Sequence, residues 1–124
     1  MKLDVLLKLQ FFYLLTGVVF NLLSYFMTHQ IGQGLTPTDP IIGSLILGVY
    51  GLFLVAGVRR RLVTYRILMI IAIVLFGYGG IYLHFANWVQ SPQLYHSLFA
   101  MVCAVTINVF GLVLNFYAAL RMFQ

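Results

Sequence analysis

Apolar positions run almost unbroken through four stretches of the chain, Leu6 to Thr28, Ile41 to Val58, Ile67 to Trp88 and Leu98 to Leu120. A bilayer core about 30 Å thick takes roughly 20 residues of helix to cross, and each stretch is close to that length. The pattern predicts an all-α membrane protein, a four-transmembrane-helix bundle with spans over 6–28, 41–58, 67–88 and 98–120. The second span is the shortest, with arginines at its end able to snorkel. Between the first two spans, His29 to Pro40 holds two prolines and two glycines and reads as a turn-rich loop. Gln90-Ser91-Pro92-Gln93 reads as a tight turn between the last two. At 124 residues the chain is expected to form one domain, 1–124. The stretch after Lys2 and Lys8 is too long for the core of a signal peptide, and no A-x-A-like site follows it, so it is expected to be retained as the first helix.

Polar residues inside the spans are not scattered. Gln10, Tyr13, Gly17, Asn21, Ser24 and Thr28 recur at steps of three and four, which puts them on one face of the first helix. Ser97, Ala100, Ala104, Asn108, Gly111 and Asn115 do the same on the fourth. Antiparallel packing of the two sets Gln10 and Asn115 at similar depth, with Asn108 near the midplane. Such stripes have two readings: amides hydrogen-bonding between closely packed helices, or the lining of a polar pathway. Ser44, Gly48 and Gly51 on the second span, and Gly77 and Gly80 on the third, add close-packing surfaces beside Gly17 and Gly111. Glycine is a poor helix former, so Gly77-Tyr78-Gly79-Gly80 is also a place where the third helix is expected to weaken.

Charge fixes an orientation. Lys2 and Lys8 fall before the first span or in its first turn, Arg59, Arg60, Arg61 and Arg66 between the second and third, and Arg121 after the fourth. The positive-inside rule assigns that side, and both termini, to the cytoplasm. A bacterial cytoplasmic membrane is the expected location. Trp88, Tyr95 and Tyr25 then fall near the outer interface and Tyr65 and Tyr117 near the inner one, as an aromatic belt would have them. Arg59, Arg60, Arg61 and Arg66 are expected to meet lipid headgroups.

Composition narrows the chemistry. Hydrophobic residues make up 63% of the chain and charged ones 7%, and Asp4 and Asp39 are the only acids, so paired-carboxylate chemistry lacks its residues. The net charge of +5 lies beside apolar spans and forms no solvated basic face, which argues against nucleic acid. No phosphate-binding glycine loop or serine triad is found, and no enzyme activity is expected. The lone Cys103 lies within an apolar run and reads as a small buried hydrophobe. His29, His84 and His96 fall toward the outer side, and a hairpin about Gln90 brings His84 and His96 to matching depth. Imidazoles on facing helices can ligate haem or metal, with Met27, Met101 and Asp39 as further donors. Cys-x-x-Cys and histidine-pair motifs are absent, so no resident cofactor is expected.

The layout of four spans, ends inside and an arginine-rich segment after the second span resembles the small GtrA-like family, thought to translocate polyprenyl-linked sugars. Phe12 to Tyr25 (FYLLTGVVFNLLSY), and Asn115-Phe116 with Arg121 and Phe123, are similar to that family's first and last spans. The matches cover under a third of the chain, the family's aromatic-basic extension between the middle spans is lacking, and no functional residue is carried over.

Three function classes follow. The first and preferred is a non-catalytic membrane subunit that packs against other subunits or copies of itself in the bilayer. The second is an oligomeric translocator or channel for a lipid-linked or small polar substrate, lined by Asn21, Asn108 and Asn115. The third is a redox protein holding haem or metal on its outer-side histidines.

Overall fold

The computed structural model describes residues 1–124. It contains four helices long and apolar enough to cross a membrane: α1 (Leu3–Ile31), α2 (Pro40–Val58), α3 (Leu62–Gln90) and α4 (Leu98–Ala119). The first three extend past the apolar runs, and α4 ends one residue short of Leu120. α1 and α3 have 29 residues each, about 44 Å at helical rise, because hydropathy marks only the apolar part of a helix whose hydrogen bonding continues past it. α3 begins well before Ile67: its first turn follows α2 almost directly, and Arg66 lies inside the helix, donating from Nε to the Ala119 carbonyl at 2.9 Å. That bond satisfies an otherwise free carbonyl at the end of α4.

Local chemistry sets the helix ends. Asp39 caps α2, accepting from the Ile41 and Ile42 amides at 2.9 and 3.2 Å, with Pro40 in the first turn. Ser97 caps α4 through the Ala100 amide at 3.1 Å. α1 closes on Gly32 in the left-handed conformation at φ 75°, its amide reaching Thr28 O. The loop that follows folds back over the bundle. The Leu35 amide donates to Ser24 Oγ at 2.9 Å, the His96 amide donates to Leu35 O at 3.1 Å, and Gln33 Nε2 donates to Gln93 O at 2.8 Å. Ser24 thus anchors a loop.

The helices form a ring in chain order, with α4 closing against α1 and no backbone contact across either diagonal. Both termini meet at one end, where the Leu3 amide donates to Gln124 O and the Gln124 amide to Met1 O. The tight α2–α3 turn shares this end, so every Lys and Arg gathers there; it is called the basic end below and its opposite the far end. Asp4 and Arg60 pair there at 2.7 Å, but both side chains are mostly exposed, so the pair contributes little. Outward faces are apolar, with Leu15, Val19, Leu52, Val74 and Phe99 all more than half exposed. In water that surface would aggregate; in lipid it is solvated.

α3 is not regular throughout. Tyr78–Tyr82 form a π turn between α-helical Leu62–Gly77 and Leu83–Gln90, in the glycine-containing segment where the helix was expected to weaken. The aromatic belt is only partly as expected. Tyr65 is fully buried and Tyr95 nearly so, each turned inward to a hydrogen-bond partner, while Trp88 and Tyr117 are half-buried. Cys103 is likewise half-buried.

The glycines divide by what they touch. A Cβ on Gly111 would come 2.5 Å from the Tyr13 ring, and one on Gly17 would come 2.8 Å from Leu47. Gly51 approaches Leu14 at 3.3 Å, whereas Gly77 has only ordinary contact and Gly48 has no neighbour within 4 Å. Gly48 is therefore no packing site within the chain, contrary to its place in the sequence pattern: its side of α2 faces outward. Gly111→Ala is expected to lower stability by about 1–3 kcal/mol through overpacking against Tyr13, and Gly48→Ala to leave it unchanged or raise it slightly. Unfolding of the two variants in the same detergent checks the contrast.

Candidate functional site

The polar stripes of α1 and α4 meet as antiparallel packing requires, but they do different things at different depths. Toward the basic end, Gln10 Nε2 donates to Asn115 Oδ1 at 3.1 Å and to Met69 Sδ at 3.2 Å. Tyr65 donates to Gln10 Oε1, and Tyr50 donates to Asn115 Oδ1 at 2.7 Å. Gln10, Tyr50, Tyr65, Met69 and Asn115 are all essentially inaccessible. One residue or more from each helix thus joins a single buried network, and only Asn115 Nδ2 lacks a partner. These groups are consumed in holding helices together and leave no open path.

Next along the axis comes a floor of three aromatic rings. Tyr13 from α1, Tyr50 from α2 and Phe76 from α3 meet edge to face, with centroids 5.4 to 5.8 Å apart and planes 82° to 89° apart. The fourth helix supplies Gly111, whose missing side chain lets the Tyr13 ring lie against the α4 backbone. Sequence reasoning put Tyr13 and Gly111 on their faces but had no signal for Tyr50 or Phe76, which look like any other large residue in an apolar run.

Beyond this floor the bundle opens. Past Gly77, α3 packs on α4 and no longer on α2, so the walls between α2 and α3 part. The result is a cavity of about 390 Å³. Tyr13 and Phe76 of the aromatic floor line it together with Leu47; Thr36, Pro37 and Thr38 of the folded-back loop line it from the far end; and Asn21, Asn87, Asn108 and His84 stand on its walls. Gly43 and Gly80 are where the walls come closest to the amides: a Cβ would sit 2.7 Å from Asn21 Oδ1 at the first and 2.5 Å from Asn108 at the second.

The wall amides are only partly engaged. Asn21 Nδ2 donates to Gly17 O at 2.9 Å and Asn108 Nδ2 to Ala104 O at 2.9 Å, while Tyr13 donates to Asn108 Oδ1 at 3.2 Å. An amide nitrogen carries two hydrogens, so each keeps a donor to spare. A concave, mostly apolar chamber with a few convergent polar groups is the usual form of a small-ligand site.

The histidines do not come together. His84 Nδ1 lies 2.8 Å from the Tyr95 hydroxyl, whose ring also packs against Trp88. Burial raises the pKa of Tyr95, with the Asn87 amide opposing. His96 and His29 are exposed, and His29 packs on Tyr25 with centroids 4.3 Å apart. Equal distance from the turn does not pair His84 with His96, because the residue next to His96 takes the position first. No three His, Cys, Asp or Glu side chains converge at metal-binding spacing. Arg59, Arg60 and Arg61 are exposed at the basic end, as headgroup contacts would be, whereas Arg66 is turned to α4.

Gln10→Leu strands the Tyr65 hydroxyl and is expected to cost about 1–3 kcal/mol, whereas Asn21→Leu, losing one bond within its own helix, costs less. A double-mutant cycle on Gln10 and Asn115 is expected to show about 0.6–1.7 kcal/mol of coupling. Steric-trap or detergent unfolding measures both, and zero coupling contradicts the network.

No protein-family model matches the chain, and no curated protein and no solved structure matches it either, so its likeness to the GtrA-like layout stays a likeness and gives no residue a role.

Proposed function

We propose that the chain is a non-catalytic membrane binding subunit, holding a small ligand in a cavity confined to one half of the bundle. The observation that carries this reading is the aromatic floor of Tyr13, Tyr50 and Phe76. It separates a chamber with spare hydrogen-bonding groups from a network whose groups are nearly all spent. A translocator needs a continuous path, and the single chain has instead four helices clamped together below that floor.

The gathering of all Lys and Arg at the end opposite the cavity supports an orientation with both termini cytoplasmic and the cavity on the outer side of a bacterial cytoplasmic membrane. Partners within the bilayer are other membrane subunits or further copies of the chain. The outward side of α2 around Gly48, bare of neighbours within 4 Å, favours close approach of another helix there.

Native mass spectrometry of the untagged protein, gently solubilised from its own membrane, tests the binding reading. The expected result is a lipid-sized mass on the wild-type chain that is lost in Ala104→Phe, which adds bulk to the cavity from α4, and in Gly79→Leu, which adds it at a lining glycine of α3 where an added Cβ has no neighbour within 4 Å. Circular dichroism verifies that both variants remain helical. A bare wild-type protein, or a bound mass that both variants retain, contradicts the proposal. Steady solute flux through vesicles containing the chain alone supports translocation instead.

A further inference from the structure

The lining of the cavity also limits what can occupy it, an inference that rests on the binding reading above. None of the residues around the cavity is Lys, Arg, Asp or Glu. All seven basic residues are at the basic end, and the one acid near the cavity's end of the bundle, Asp39, does not line the cavity: it is exposed beside Thr38, with Oδ1 accepting from the Ile41 and Ile42 amides. An anion would find only His84, already bonded through Nδ1 to Tyr95, and a cation would find no carboxylate. Moving an ion into such a site without a counter-charge is costly, while a neutral polar head loses only hydrogen bonds that the walls can replace.

What the walls offer is matched to such a head. Asn21 and Asn108 each keep one amide hydrogen free of intrachain bonds, and Asn21 Oδ1 accepts none within the chain. They stand on α1 and α4, on the side of the chamber away from the parting of α2 and α3. That parting is flanked by apolar residues turned partly to lipid, with Leu75 40% and Tyr78 60% exposed and Ile46 half-buried. A ligand whose head reaches the amides therefore leaves its remaining length between the two helices, level with one leaflet.

We infer that the cavity takes a neutral amphiphile from the membrane, with an uncharged head bearing hydroxyl or carbonyl oxygens against Asn21 and Asn108 and an apolar tail passing out between α2 and α3. A phosphate-linked lipid is disfavoured by the same argument, for want of any cation to meet the phosphate.

The test uses the full chain in phosphatidylcholine nanodiscs and one tail with four heads: radiolabelled 1-oleoylglycerol as the bound probe, and unlabelled oleoylglycerol, oleate, oleylamine and oleoyl lysophosphatidic acid as competitors. Oleoylglycerol is expected to bind saturably and to compete about tenfold or more better than any charged analogue, a ratio set by the unpaired charge. Asn21→Leu, which leaves the fold and the floor intact, weakens binding severalfold, and Ala104→Phe and Gly79→Leu remove it. If oleate, oleylamine or lysophosphatidic acid competes as well as oleoylglycerol, and the filling variants still abolish binding, the neutral-head inference is overturned while the binding reading survives. Absence of saturable binding overturns the inference alone when the native protein still carries a mass sensitive to Ala104→Phe. Binding that survives both filling variants overturns the two together.

Discussion

A helix in lipid has no water with which to satisfy a stray amide or hydroxyl, so polar side chains inside the bundle are driven to find partners in the protein. Gln10 meets that constraint for the whole molecule. Its amide accepts from Tyr65, and donates to Asn115 and to the Met69 sulfur. Tyr50 completes the connection through Asn115. Four helices that are all apolar outside have little to distinguish one rotation from another, since lipid solvates a leucine on any face equally well. A network with one member or more on each helix removes that freedom, because rotating any one of them strands a buried polar group.

With the rotations fixed at that depth, the rest of the interior follows. About one turn further along, the missing side chain at Gly111 makes room for the Tyr13 ring, and beyond it Leu47 packs on Gly17. The ring then closes the bundle against Tyr50 and Phe76. Above it the helices are tied by fewer interactions, α2 and α3 part, and the loop fastened to Ser24 and His96 covers what they leave. The polar stripes therefore differ with depth: near Gln10 and Asn115 they pack helix on helix, and near Asn21 and Asn108 they line the cavity.

Much of the fold was legible from hydropathy, because four apolar runs of bilayer length have few alternatives and short connections force neighbours in sequence to be neighbours in space. The polar stripes were legible for the same reason, as helical periodicity places Gln10 and Asn115 on facing surfaces whatever their neighbours do. The cavity was not. It depends on where α2 and α3 separate, and no local pattern encodes a gap between two helices. Tyr50 and Phe76 were missed because an aromatic residue in a membrane span reads the same whether it faces lipid or the axis. Tyr65 and Tyr95 were assigned to the interface by depth alone, and the hydrogen bonds that turn them inward come from residues distant in sequence or on the far side of a turn. Gly48 shows the converse: a small residue in a periodic row does not by itself say which neighbour, if any, makes use of it.

The π turn at Tyr78–Tyr82 bears on how such a chamber comes into being. An α-helix advances about 100° per residue, so a wide turn that accommodates one extra residue resets the phase of everything after it. Phe76, Gly80 and His84 follow one another at intervals of four and are all buried, a spacing at which a regular helix would carry each successive residue about 40° further round. The wide turn takes up that drift and keeps His84 and Asn87 on the cavity wall. The composition of the wall is thus a matter of chain length as much as of residue identity: a single-codon insertion or deletion in this segment exchanges the whole set of side chains that the last third of α3 shows to the chamber, while leaving the network at Gln10 untouched. Homologous chains differing by one residue there would share a scaffold and present different chambers.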